Sequence, residues 1–158
     1  MPRRFTASEA QLKPDPKYGD KVLSRFINSI MYDGKKSVAQ RVVYDALDQI
    51  EKRTQGEPPA IEVFRKAIEN VKPSVEVKSK RVGGANYQVP MQVNRRRQQS
   101  LAFRWIINAA RAEKGRPMAQ RLSKELMDAF NGEGKAVNTR DQTHRMADAN
   151  KAFAHFAW

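Results

Sequence analysis

The spacing of apolar residues changes once along this chain, and that change most narrowly limits the fold. Over residues 22–71 and again over 101–147, apolar side chains recur every three or four residues, the period of one buried helix face. Between residues 74 and 92 the period drops to two, around a Gly83-Gly84 pair that can supply the positive φ of a tight turn. The pattern predicts a mostly α fold, a bundle of about six helices with one projecting β-hairpin between the third and fourth.

Helix boundaries follow from turn and capping residues. Asp20 is a predicted N-cap of the first helix. Ser37 and Gln40 form a predicted capping box for the second helix, unless that helix begins a turn earlier. Val38 is expected on the buried side of the second helix, and the sixth helix is expected from about Lys135.

The length of 158 residues suits one domain over residues 1–158. We divide it into an extended N-terminal arm (1–19), the body, a hairpin arm (74–92) and a short aromatic tail (150–158). The tail residues Phe153, Phe156 and Trp158 are expected to pack either on the body or on a partner. The sequence shows no secretory signal and no apolar run of membrane-spanning length, which is typical of a cytosolic protein.

Positive charge is concentrated in one part of the chain. The formal net charge is +13, and residues 72–116 alone hold eleven basic and two acidic side chains. A solvated surface normally mixes both signs, which is the alternative explanation for a high charge content. Clustered positive charge instead indicates a polyanionic partner.

The predicted fourth helix carries an arginine stripe. Arg97, Arg104 and Arg111 are spaced seven residues apart, so they drift by only about 40° on a 3.6-residue helix. The triple arginine that includes Arg95 and Arg96 begins this stripe, and Lys114 and Arg116 follow it. Arginine suits phosphate because its planar fork can donate to two oxygens. For each arginine the alternative is an ion pair with an acidic side chain of another helix.

No catalytic or metal site is predicted, and no cofactor. Cysteine is absent, so thiolate metal sites and disulfides are excluded. The two histidines, His144 and His155, do not form an HExxH motif, and His144 is expected to be a structural or surface contact. The "GEGK" segment at Gly132 lacks the first glycine of a phosphate loop and is interpreted as a turn between helices. An enzyme is therefore not expected.

A nucleic acid is the predicted partner, and RNA is favoured over DNA. A DNA-binding helical regulator presents one short recognition helix to the major groove, whereas here the charge spans a hairpin, a long helix and an arm. Separated basic elements suit a folded RNA that is recognised by shape and backbone. The DNA-binding regulator remains the alternative, and an RNA-modifying enzyme is a third hypothesis without a visible catalytic constellation.

Five motifs resemble one known family, the bacterial small-subunit ribosomal protein seven family. They are "PDPKYGD" (14–20), "MYDGKKSVAQ" (31–40), "RVGGANYQVPMQV" (81–93), "LAFRWIINAAR" (101–111) and "HRMADANKAFAH" (144–155). The resemblance covers essentially the whole chain and implies six helices with a hairpin after the third. It implies binding to the three-prime major domain of small-subunit rRNA and nucleation of head assembly. It also implies nearness to exit-site tRNA and the mRNA exit, and contact with small-subunit ribosomal protein eleven and other head proteins.

The resemblance and the arginine stripe together predict the residues that bind RNA. The predicted rRNA-binding residues are Arg3, Arg4, Lys35, Lys36, Lys78, Lys80, Arg81, Arg95, Arg96, Arg97, Arg104, Arg111, Lys114 and Arg116. The resemblance places the hairpin tip, Arg81 to Gly84 (with Val82 and Gly83), near tRNA. The chain departs from the family in a less basic N-terminal arm and in a tail that ends "HFAW" where "HYRW" is typical.

Overall fold

The computed structural model describes residues 11–157, so the predicted contacts of Arg3, Arg4 and Trp158 lie outside the described residues. Within that range the chain forms six α-helices, one β-hairpin and a C-terminal 3-10 segment, as the apolar spacing predicted. The elements are α1 (Lys21–Ile30), α2 (Lys36–Thr54), α3 (Ala60–Val71), β1 (Val75–Val82), β2 (Ala85–Gln92), α4 (Arg95–Ala112), α5 (Met118–Phe130), α6 (Lys135–Ala149) and the 3-10 segment (Lys151–Phe156).

Side-chain caps define the starts of two helices. The Asp20 carboxylate accepts hydrogen bonds from the amides of Val22 at 2.7 Å and Leu23 at 3.1 Å, which confirms the predicted cap of α1. Its other oxygen pairs with Arg65 of α3 at 2.7 Å, so one side chain both starts α1 and ties it to α3. Asn94 caps α4 in the same way, accepting from the amide of Arg97 at 2.9 Å.

The start of α2 differs from the prediction. The helix begins at Lys36, before Ser37, and no side chain caps its first turn, so the predicted capping box is wrong. Val38 is 51% exposed instead of buried. The buried stripe of this helix begins one residue later at Ala39, and one residue turns a helix by about 100°, which carries Val38 off the buried face.

Aromatic packing marks the centre of the core. The ring of Phe26 in α1 lies edge-on to Phe64 of α3 and Phe103 of α4, each at a centroid distance of 5.2 Å. All three rings are buried. Because α4 also contacts α5 and α6, it is a central helix of the bundle.

The hairpin has the predicted two-residue turn. Val82 pairs with Ala85, and Gly83 and Gly84 adopt φ values of +58° and +84°, so both central positions need the positive φ that glycine tolerates. Pro90 is accommodated because a two-stranded sheet leaves one side of each strand unpaired.

The aromatic tail packs on the hairpin. The Tyr87 ring of β2 lies 5.2 Å from Phe153 and 5.1 Å from Phe156, measured between centroids. The Lys80 ammonium of β1 donates to the Phe156 carbonyl at 2.7 Å. Of the two placements that the sequence left open for the tail, the structure shows packing on this chain for Phe153 and Phe156.

The "GEGK" segment is a tight turn between α5 and α6, as interpreted from the sequence. Gly134 has a φ of +94°, and a Cβ added there would lie 2.9 Å from the Cβ of Asp128. Only glycine fits this position without a shift of the neighbouring backbone or side chain. The glycine therefore serves helix packing, since its close contacts are made within the bundle.

Candidate nucleic-acid interface

The start of α4 joins the helix to the hairpin. The Arg97 guanidinium donates to the Glu76 carboxylate of β1 through Nε and Nη2, both at 3.3 Å. Lys78 pairs with the same carboxylate at 3.4 Å. Glu76 is only 8% exposed, so these two cations compensate a buried charge. The sequence left Arg97 either to bind phosphate or to pair with an acidic side chain, and the structure shows the ion pair.

The other basic residues of this region differ in their surroundings. Arg95 and Arg96 are exposed in the first turn of α4, and Arg81 is exposed next to the hairpin turn. The Lys80 ammonium is turned toward the C-terminal segment by its bond to Phe156. Arg81 thus lies at the tip of the hairpin, whereas Arg95 and Arg96 follow its base. Lys78 and Lys80 are partly engaged within the chain.

The C-terminal half of α4 borders a basic cleft. This cleft, of about 310 Å³, lies between α1 and α4 and is lined by Arg25, Arg104 and Arg111. Its remaining polar lining is neutral, and no acidic side chain of the described residues lines it. Three guanidinium groups without a facing carboxylate form a surface that attracts anions.

Arg25 was missed in the sequence analysis. It lies in α1, within a stretch whose basic and acidic residues nearly balance, so the charge distribution does not single it out. The structure places it beside α4, where its Nη1 donates to Gln99 Oε1 at 3.2 Å. Only the packing of α1 against α4 reveals that it shares a cleft with Arg104.

Arg111 is held in place at the end of α4. Its Nη2 donates to the Ile30 carbonyl at 3.1 Å, and its guanidinium carbon lies 4.2 Å from the centroid of the Tyr32 ring. The Arg121 side chain in turn donates to the Arg111 carbonyl at 3.3 Å. The first two contacts orient the Arg111 guanidinium before any ligand arrives.

The remaining predicted cations surround this end of α4. Lys35 lines a second pocket together with Arg111. Lys36 is exposed at the start of α2, and Lys114 and Arg116 are exposed in the loop between α4 and α5. The structure thus divides the predicted residues of 11–157 into a hairpin group and a group around the end of α4.

Both acidic residues of the most basic segment, 72–116, have cationic partners. Glu76 pairs with Arg97, as described above. Glu113 pairs with Lys124 at 2.8 Å, and this hydrogen bond lowers the pKa of the Glu113 carboxyl. Neither carboxylate therefore faces the cleft as an unpaired negative charge, and the surface keeps its positive potential.

The other candidate chemistry is structural. His144 Nε2 accepts a hydrogen bond from the Ser74 amide at 3.1 Å, which ties α6 to the start of the hairpin, as expected for a structural contact. Within residues 11–157 no group of three or more His, Cys, Asp or Glu side chains could hold a metal ion. In the same part of the chain, no helix combines the length and the apolar character that crossing a bilayer requires.

A helical body with a basic face and a basic hairpin is typical of proteins that bind nucleic acid structurally. The family model described as Ribosomal protein S7p/S5e matches residues 2–151. The chain is 62% identical to the small ribosomal subunit protein uS7 of Rhodopirellula baltica, over 98% of this chain and 99% of the relative. It is 56% identical to uS7 of Methylobacterium radiotolerans, over the whole of both chains, and 54% identical to uS7 of Rhodobacter capsulatus, again over both whole chains.

This chain belongs to the ribosomal protein S7p/S5e family. The family is a structural, non-enzymatic component of the small ribosomal subunit, in agreement with the resemblance found in the sequence. A place in a ribonucleoprotein, rRNA binding and translation are consistent with this family.

Proposed function

We propose that this chain is a primary rRNA-binding protein that binds the three-prime major domain of small-subunit rRNA and nucleates assembly of the head. In this proposal the hairpin tip, Arg81 to Gly84, lies near exit-site tRNA and the mRNA exit. The C-terminal segment approaches small-subunit ribosomal protein eleven. Membership of the family and the resemblance of the hairpin and tail motifs support these placements.

The observation that carries the proposal is the basic cleft between α1 and α4. Arg25, Arg104 and Arg111 present forked donors, and no acidic side chain of the described residues lines the cleft. The helices are packed through Phe26 and Phe103, so the spacing of the guanidinium groups is fixed by the core. A fixed set of arginines selects a phosphate backbone of matching shape, which is how folded RNA is recognised.

The exposed cations around the cleft extend the proposed surface. Lys35 and Lys36 at the start of α2, and Lys114 and Arg116 after α4, add positive charge beside Arg111. The hairpin group supplies a second contact, with Arg81, Arg95 and Arg96 as its exposed members. Two separated contacts on one body fix the orientation of an RNA junction better than one contact does.

Replacing Arg25 and Arg104 together by alanine tests the proposal. The measurement is the salt dependence of binding to a three-prime-domain rRNA fragment. If each arginine neutralises one phosphate, the slope of log K against log salt becomes shallower by about 1.4 to 1.8. Affinity at low salt falls with it, because fewer counterions are released.

The matched control is the double replacement of Lys52 and Arg53 by alanine. Both are exposed near the end of α2, and Lys52 shares a surface pocket with the acidic side chains of Asp48 and Glu51. This control removes the same formal charge from a surface of mixed sign, so the slope should change much less. Equal changes in the two double variants would show that total charge alone determines binding. Equal affinity for duplex DNA of the same length would favour the DNA-binding alternative.

A further inference from the structure

An apolar pocket lies next to the basic cleft and shares Arg111 with it. It has a volume of about 520 Å³ and is formed by the end of α1, the turn after it, the start of α2, the end of α4 and the start of α5. Its volume is within the range of ordinary small-molecule sites. Val38, Val42 and Met118 contribute its apolar lining.

Two large hydrophobic side chains at this pocket are exposed to solvent. Tyr32 is 63% exposed and Val38 is 51% exposed, and both border the pocket. Val38 was expected in the core, and its outward position is what gives the pocket an apolar wall. Large apolar groups grouped on a surface indicate a site that is covered by a partner.

The charges around the pocket define what that partner is. Lys35, Arg111 and Arg121 line it, and no acidic side chain of the described residues does. A nucleotide matches both properties of the pocket, because its phosphate suits the cations and its flat base suits the apolar wall. The Arg111 guanidinium stacked at 4.2 Å on the Tyr32 ring adds a planar cationic surface.

We propose that this pocket binds one unstacked nucleobase of an RNA strand whose backbone contacts Lys35 and Arg111. The base lies against Tyr32 and the apolar wall, and its phosphate lies at the basic rim. Bases that leave a helix are commonly held by stacking on aromatic rings and arginine planes. The inference rests on the proposed RNA binding and adds a base-binding site to the phosphate-binding cleft.

Tyr32→Ala in the full chain tests the stacking contribution. Its affinity for the three-prime-domain rRNA fragment should fall by about 5- to 150-fold, because one base stacks on one ring. The slope of log K against log salt should stay nearly unchanged, because no cation is removed and the Ile30 carbonyl still holds Arg111. Tyr32→Phe keeps the ring and should bind like the unmodified chain. Unchanged affinity of Tyr32→Ala overturns the proposal, as does a loss that appears only as a shallower slope.

A second measurement separates the pocket from the proposed rRNA binding. Two short probes are compared by NMR: an adenosine RNA hexamer and an abasic hexamer with the same number of phosphates. The adenosine hexamer should shift the methyl resonances of Val38, Val42 and Met118, and the abasic hexamer should not. Equal shifts from both probes, or none from either, overturn the base site.

This readout does not depend on the rRNA fragment. If the fragment fails to bind but the adenosine hexamer shifts the pocket methyls, the proposed rRNA function fails and the base site stands. If binding of the fragment requires Arg25 and Arg104 but the adenosine hexamer does not shift the pocket methyls, the base site fails and the rRNA function stands. A dimer in sedimentation that Val38→Asp dissociates would place a second copy of the chain in the pocket and overturn the proposal.

Discussion

Both ends of α4 carry arginines that are spaced seven residues apart. The two ends differ in whether a carboxylate faces these arginines. At the N-terminal end the Arg97 guanidinium donates two hydrogen bonds to the buried carboxylate of Glu76. At the C-terminal half, Arg104 and Arg111 line a cleft without an acidic side chain among the described residues. The seven-residue spacing places all three on one helix face, but the neighbouring elements decide whether an arginine holds the fold together or remains available to a partner.

The largest expected effect on stability comes from Arg97→Ala. The replacement removes two hydrogen bonds from the buried Glu76 carboxylate, which Lys78 still contacts. We expect the free energy of unfolding to fall by about 1.5 to 3 kcal/mol, the usual contribution of a hydrogen bond to a charged group. Urea unfolding followed by circular dichroism measures it.

Arg95→Ala is the control for Arg97→Ala, since it removes one exposed arginine from the same helix turn. Its unfolding free energy should stay within about 0.5 kcal/mol of the unmodified chain. If Arg97→Ala is as stable as Arg95→Ala, Arg97 does not stabilise the fold and the proposed difference between the two ends of α4 is contradicted.

A smaller effect is expected from Phe156→Ala, which removes an aromatic ring from the hairpin side. The ring contacts Tyr87, so its loss should lower the free energy of unfolding by about 1 kcal/mol. Amide hydrogen exchange should quicken mainly in β1 and β2, because the ring packs there. Met146→Ala, an exposed position of α6, is the control. Faster exchange throughout the bundle would contradict a local role for the tail.

The smallest effect concerns a buried carboxylate without an arginine partner. Burial raises the pKa of Glu125, and the hydrogen bond from the Ala136 amide at 2.9 Å only partly offsets this. The folded chain therefore keeps this proton to a higher pH than the unfolded chain, whose ordinary value is 4.5. As pH rises above that value, Glu125 makes folding progressively less favourable.

Glu125→Gln removes this titration and keeps an oxygen that can accept from the Ala136 amide. Relative to the unmodified chain, the variant should gain stability as pH rises from 4 toward 7 in urea unfolding. Glu133→Gln, at an exposed position of the turn between α5 and α6, should not show this gain. Parallel curves for the unmodified chain and Glu125→Gln would mean that the buried carboxylate is not penalised.

The sequence predicted the elements of the fold because local signals encode them. The apolar periods gave six helices and a hairpin, Asp20 gave the start of α1, and Gly83-Gly84 gave the turn. The exposed position of Val38 was not predicted, because a wide apolar stripe does not show which residue at its edge faces the core. The absence of a side-chain cap at α2 was not predicted either, because a Ser-x-x-Gln pattern can occur without forming the capping hydrogen bonds.

The site was predicted less completely than the fold. Spacing alone placed Arg104 and Arg111 on one face, and the structure gives that face a cleft. The pairing of Arg97 with Glu76 spans 21 residues, and the bond between Arg25 and Gln99 spans 74, so neither follows from a local pattern. These contacts depend on how α1, α4 and the hairpin pack together. That packing cannot be deduced from local patterns in a single sequence.

The contact between Lys80 and Phe156 joins residues 76 positions apart. During synthesis from the N-terminus, β1 and β2 emerge well before the segment that covers Tyr87. Because a domain generally folds as a unit, the hairpin gains this cover only after the residues up to Phe156 have been made. We therefore expect the tail to close onto the hairpin late in folding, and until then the nascent chain presents an uncovered, cationic strand pair.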